Sequence, residues 1–206
     1  MNEKLVDEKP TRLRGRPRSF NEAEALEQAT RVFWAKGYDG ATVDDLVAGT
    51  GVSRPSLYAT FGDKESLFMR CLEHYARSAI LFATQVLSAA STIQEAVGSY
   101  LRMTVEGVTC HSTPSGCLTA CVVPSVEDSK VQDFSARAAA QMAQVIEQRL
   151  REAVAAGELP PDFPCAMRSR HILGMSSALA LRARAGATRE TLQADADDVA
   201  ALLLQR

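Results

Sequence analysis

Residues 42–61, TVDDLVAGTGVSRPSLYATF, hold two short helical stretches hinged on one glycine. Thr42, with Asp45 three positions on, has the form of a capping box. Ser53 stands where a second helix begins, and Pro55 is tolerated in that helix's first turn. Leu46, Val52, Leu57 and Phe61 are spaced to pack the two stretches together. The segment before them predicts a third helix. Asn21 caps it, Glu24 stands at N3, and Ala25, Leu26, Ala29, Val32 and Phe33 follow at helical spacing up to Gly37. Phe33 and Trp34 are expected to cover the pair. The pattern is a tri-helical unit containing a helix-turn-helix.

The remainder of the chain repeats the helical period. Asp63 caps a long stretch from 64 onward, and 92–109 puts Ile93, Val97, Tyr100, Leu101 and Val105 in register. Val131, Phe134, Ala138, Met142, Val145, Leu150 and Val154 mark a helix that stops near Gly157. Residues 165–185, closed by Gly186, predict another, and Leu192, Ala196, Val199 and Leu203 mark the last. Alternation of period two is absent, as is an internal repeat, so the expected fold class is all-α.

Composition narrows the function. The chain of 206 residues is 46% hydrophobic, enough for a real core. Lacking a run of eighteen apolar residues and a signal-like N-terminus, it is expected in the cytoplasm, away from membranes. Five cysteines in a reducing compartment argue against a disulfide framework. The net charge of −2 conceals the basic run KPTRLRGRPR at 9–18. That run points to a polyanionic partner. With its apolar positions turned inward, the second helix of the pair shows Arg54, Pro55, Ser56, Tyr58 and Thr60 outward. These suit phosphates and base edges, with Pro55 offering contact to a thymine methyl. Lys64 follows at the next helix start, where its charge and the free backbone N–H groups suit a phosphate.

The stretch GRPRSFNEAEALEQATRVFWAKGYDGATVDDLVAGTGVSRPSLYATFGDKESLF resembles the DNA-binding domain of the TetR family of bacterial transcriptional regulators. Its specific parts are A…VFWAKGYDGATVDDLVAGTGVS, SLYATF and DKESL, in order and at fixed spacing. SGCL and AVAAGEL resemble stretches of some members' C-terminal domains. The resemblance implies a homodimeric repressor that leaves a near-palindromic double-stranded operator when a small molecule binds its C-terminal helical domain. By position it places Thr42, Ser53, Arg54, Ser56, Tyr58 and Lys64 toward DNA. Thr60 departs from it: many relatives carry an aromatic or histidine there, and threonine reaches less far. The expected organisation is a basic N-terminal arm at 1–19, a helix-turn-helix domain at 20–65, and a helical sensing and dimerisation domain at 66–206.

Gly15 and Pro17 favour an extended arm from which Arg14 and Arg16 enter a minor groove. HILGMSSALALRARAGA, 171–187, is rich in small residues that permit close helix approach. Gly174, Ser177, Ala178 and Leu181 there, with Val199, Leu202 and Leu203 of the last helix, are the expected dimer face. Tyr100, Met103, Phe134, Met142 and Met175 are candidate walls of an effector cavity, and the absence of clustered buried charge points away from a charged ligand.

Cys110, Cys117 and Cys121 hold the remaining chemistry. Metal binding by these with His111 is disfavoured, because the knuckle is only C-x₃-C and Cys110 adjoins His111. No metal and no cofactor is expected. A catalytic thiol built from Cys117, His111 and Asp128 has only residue types in its favour, so an enzyme is not expected. Non-specific DNA packaging is a further alternative. Thiol sensing competes with simple packing: Cys117 is expected in the first turn of a helix after Pro114, Ser115 and Gly116, where the dipole favours thiolate. Cys121, one turn on, is too far for a strain-free disulfide.

Overall fold

The computed structural model describes residues 20–111 and 113–205; the expected arm, with Arg14 and Arg16, lies outside the described residues. Within them the chain is helical, as anticipated. The elements are α1 (Glu22–Gly40), α2 (Val43–Thr50), α3 (Arg54–Phe61), α4 (Lys64–Ala89), α5 (Ile93–Val108), α6 (Leu118–Cys121), α7 (Ser129–Ala155), α8 (Cys165–Arg184) and α9 (Arg189–Leu203). A 3₁₀ turn, Val123–Ser125, joins α6 to α7.

Capping chemistry sets most of the helix starts. Asn21 accepts from the backbone of Ala23 and Glu24, Asp63 from Ser66, Thr92 from Glu95, and Asp128 from Lys130 and Val131. Thr42 and Asp45 form the reciprocal capping box of α2. Ser53 differs from expectation. It stands at the N-cap of α3, but its hydroxyl donates to Ser56 Oγ at 3.0 Å and makes no cap bond. Gly51 turns the chain between α2 and α3 at φ 68°, a conformation that favours glycine, and its N–H donates to Val47 O. The α1 backbone leaves helical geometry at Gly37 and continues for one further turn.

Two apolar cores result. The first gathers Phe33, Leu46, Val52, Leu57 and Phe61 from α1–α3 with Leu67, Phe68, Cys71 and Leu72 of α4. It extends to Leu118, Val122, Val123, Val126 and Val131, so the head's packing runs past residue 65 into the segment around α6. The second core joins α5, α7, α8 and α9 around Leu101, Leu150, Ile172, Leu179 and Leu192, with Ala83 and Leu87 from the end of α4. The long α4 therefore belongs to both cores. Among the described residues no helix is long and apolar enough to cross a membrane.

Candidate nucleic-acid interface and effector cavity

The outward side of α3 follows from its inward side. Leu57 and Phe61 are buried, leaving Ser53, Arg54, Pro55 and Tyr58 exposed and Ser56 and Thr60 half-buried. Arg54 Nη2 donates to Asp44 Oδ1 of α2 at 2.8 Å, a restraint the sequence did not suggest. Thr42 is exposed; its Oγ1 accepts from Asp45 N at 3.1 Å, and its side chain also hydrogen-bonds the Asp45 carboxylate, which a phosphate would have to displace. Lys64 Nζ sits 4.7 Å from the ring centre of Tyr38. Burial, then the carboxylates of Glu65, Asp128, Asp39 and Asp63, push the Tyr38 phenol up, so the ring stays neutral beneath the ammonium. Thr42, Ser53, Arg54, Pro55, Tyr58 and Lys64 lie along α2, α3 and the start of α4 on one tri-helical unit.

The body contains a cavity of about 580 Å³ between α4, α5, α7 and α8, closed toward the head by Trp34. Tyr100, Met103, Cys110, Cys117 and Met142 line it, alongside Tyr75, Thr113, Ser176 and Ala180. Phe82 and Met103 are partly exposed and mark its mouth. Among the described residues its wall contains no Asp, Glu, Lys, Arg or His.

Two expected lining residues, Phe134 and Met175, and the thiol candidate Cys121 stand elsewhere. Phe134 packs against the head core, because the start of α7 crosses the 3₁₀ turn rather than the cavity. Met175 packs against the body core. Cys121 turns its sulfur toward Ala180 O and the backbone of Cys117, behind the wall. Ser177, expected at the dimer face, lines the cavity. Val199 and Leu203 pack partly into their own core, whereas Gly174, Leu181 and Leu202 are exposed. Ala178 is half-buried on the same α8 stripe as Gly174 and Leu181.

The cysteine segment also differs in detail. Cys117 is the residue before α6, at φ −123°, not in its first turn. A helix of four residues has no stack of peptides to sum into a macrodipole, so that argument lapses. Cys117 Sγ instead accepts from Tyr75 OH at 3.2 Å and lies 3.1 Å from Thr119 Oγ1. Burial, and then the sulfur itself, push the Tyr75 phenol up, which keeps it a donor. Asp128 is engaged as the cap of α7, and His111 is exposed, so the imagined thiol triad is not assembled around Cys117. Burial pushes the Cys71 thiol up to about 12, leaving it a core residue. No group of metal-ligating side chains occurs among the described residues.

The glycine of SGCL has the clearer structural role. Gly116 has φ 89°, and a Cβ there would meet Cys121 Sγ at 2.7 Å and Ala180 O at 3.0 Å. Its N–H donates to Val108 O at 2.8 Å, fastening the end of α5 against α8.

Comparison with known proteins agrees with this architecture. A family model described as bacterial regulatory proteins, tetR family, matches residues 25–71. The HTH-type transcriptional repressor ComR of Escherichia coli K12 is 30% identical over 182 residues, 87% of each chain. This chain belongs to the TetR family. The HTH-type transcriptional repressor BdcR of the same strain is 29% identical over 133 residues, covering 64% of this chain and 66% of BdcR. Among solved structures, a cysteine-substituted CifR, a TetR family transcriptional regulator complexed with 26-bp double-strand operator DNA, superposes with a TM-score of 0.85. It is 31% identical and covers 91% of this chain and 98% of CifR. As a TetR-family chain, the protein is a DNA-binding transcriptional regulator.

Proposed function

We propose that this TetR-family protein is a homodimeric repressor whose α2–α3 pair reads a near-palindromic operator, and whose cavity takes a small-molecule effector that releases the DNA. The observation that carries this reading is a pairing within one chain. An exposed recognition helix with Arg54 and Tyr58 outward sits on a body with a neutral 580 Å³ cavity walled in part by α1 of the head. Residues Thr42, Ser53, Arg54, Pro55, Ser56, Tyr58, Thr60 and Lys64 are assigned to DNA. Two heads separated by one helical turn of DNA require a dimer, and the exposed stripe Gly174, Ala178 and Leu181 with Leu202 offers the symmetric surface. The likeness to CifR on its operator supports the DNA half of the reading, and the protein acts where the chromosome is, in the cytoplasm.

Sequencing the genomic fragments that the purified protein retains tests this. A shared near-palindrome is expected, and Tyr58→Ala should weaken binding to it about tenfold or more while leaving non-specific binding almost unchanged. Equal retention of all fragments would identify a packaging protein instead.

A further inference from the structure

Just behind the surface of the cavity wall lies an unusual donor. Trp34 belongs to α1 of the head, is 8% exposed, and lines the cavity. Its Nε1 is buried with no hydrogen-bond partner among the described residues, and so is Oγ1 of Thr113, another wall residue. Buried polar groups normally find partners, so two without one on the same wall call for an explanation. An indole N–H can only donate. What satisfies it must therefore carry an acceptor. The wall supplies no charge to compensate a buried ion, and most of its residues are apolar or aromatic.

We infer that the effector is a neutral, mostly apolar molecule with one exposed hydrogen-bond acceptor, such as a ketone oxygen, and that this acceptor takes the indole N–H of Trp34. The inference rests on the cavity being the effector site. It adds the chemical class of the ligand and the route by which the head senses it. Trp34 packs edge-on against Tyr75 of α4 with ring centres 5.3 Å apart, and its backbone carbonyl accepts from Arg184 Nη2 at 3.2 Å. A ligand that draws the indole toward the cavity thus acts on α1 directly, without a relay through other helices. Thr113, whose hydroxyl donates or accepts, takes a second polar atom if the ligand has one.

Benzophenone and diphenylmethane share a skeleton and differ at the carbonyl oxygen; 4-benzoylbenzoate adds a charge. Calorimetric titration of the full chain with each is the test. Benzophenone should bind about tenfold tighter than diphenylmethane, and 4-benzoylbenzoate should bind more weakly than benzophenone. In Trp34→Phe, benzophenone should fall to the affinity of diphenylmethane, which should itself hardly change. Should that variant not fold, the comparison of the probes on the unaltered chain still decides. Equal affinities for the two neutral probes, or a ketone preference that survives in Trp34→Phe, overturns the inference while the cavity keeps its role. The latter result would mean that the N–H is already satisfied by the Tyr75 ring face. A preference for 4-benzoylbenzoate overturns neutrality. If none of the three binds, the inference is overturned, while the repressor reading stands or falls on the genomic-fragment test.

Discussion

Arg54 stands at the first position of α3, yet in the free chain its guanidinium is held by Asp44. Both side chains are more than half exposed, so this pair contributes little to stability, within about 1 kcal/mol. Its effect falls on DNA instead: the carboxylate competes for the arginine and repels approaching phosphates. Asp44→Asn should tighten binding to duplex DNA several-fold at low salt and leave the melting temperature nearly unchanged. A gel-shift titration showing weaker binding would mean that Asp44 positions Arg54 rather than restrains it. Next to it, Asp45 is held down to about 2 by the hydrogen bond from Lys36, then by those from Thr42. A carboxyl depressed by folding stabilises the folded chain above its ordinary value of 3.8, and that contribution is lost as pH falls through about 2. Asp45→Asn should therefore flatten the acid limb of stability between those values. Urea unfolding at a series of acid pH values reads this directly, and an unaltered limb in the variant would assign it to other carboxylates.

The helices were legible wherever short-range chemistry determines them. Asn21, Thr42 and Asp63 lie beside the backbone groups they cap, so cap spacing located α1, α2 and α4, while apolar register alone marked α5 and α7, whose caps Thr92 and Asp128 emerge only in the structure. The segment 110–125 was not legible in the same way. Its shape depends on Gly116 meeting α8 from far along the chain, a contact that no local spacing encodes. Gly116→Ala places a side chain at φ 89° and against a backbone carbonyl, and should cost about 1–3 kcal/mol or more. Cys117→Ser, by comparison, should cost less and retain the fold; the two melting temperatures, measured side by side, check the order. For α8 and α9 the residues expected at a dimer face divide in the structure: Gly174, Leu181 and Leu202 are exposed, whereas Ser177 lines the cavity. Small and apolar residues at helical spacing identify a face, but only the packed structure shows that Ser177 looks inward while Leu181 and Leu202 look out. Leu181→Glu combined with Leu202→Glu should convert the dimer to a monomer and abolish operator binding without unfolding the chain, because both residues are exposed in the protomer. Light scattering with circular dichroism decides; a dimer surviving both charges would move the interface elsewhere.

Across the whole molecule, α8 touches every function at once. Gly174, Ala178 and Leu181 face out, Ser176, Ser177 and Ala180 face the cavity, and Arg184 at its end reaches the head. The cavity itself could not be read from the sequence, since Tyr100 and Met142 in its wall are the same residue types that fill the core. Nor could the contact of Arg184 with Trp34, separated by most of the chain. Arg184 donates from Nη2 to Trp34 O at 3.2 Å and from Nη1 to Ser115 O at 3.1 Å. It thereby ties α8 to α1 of the head and to the loop at Ser115, whose neighbours Thr113 and Gly116 line the cavity. Neither acceptor is a charged group, and the guanidinium is exposed, so the arginine's main effect is to fix one orientation of the head on the body. An effector alters DNA affinity only through a difference in how the two orientations bind it, and the coupling is reciprocal. Without Arg184 that difference should shrink. Arg184→Ala should keep operator binding within a few-fold, because no DNA-facing side chain changes. The factor by which a cavity ligand weakens that binding, typically about 5–150-fold in coupled systems, should fall toward one. Operator titrations with and without saturating ligand, for both proteins, give that factor. Full coupling in Arg184→Ala would assign transmission to the packing of α4 through both cores, and leave the Arg184 contact as a brace only.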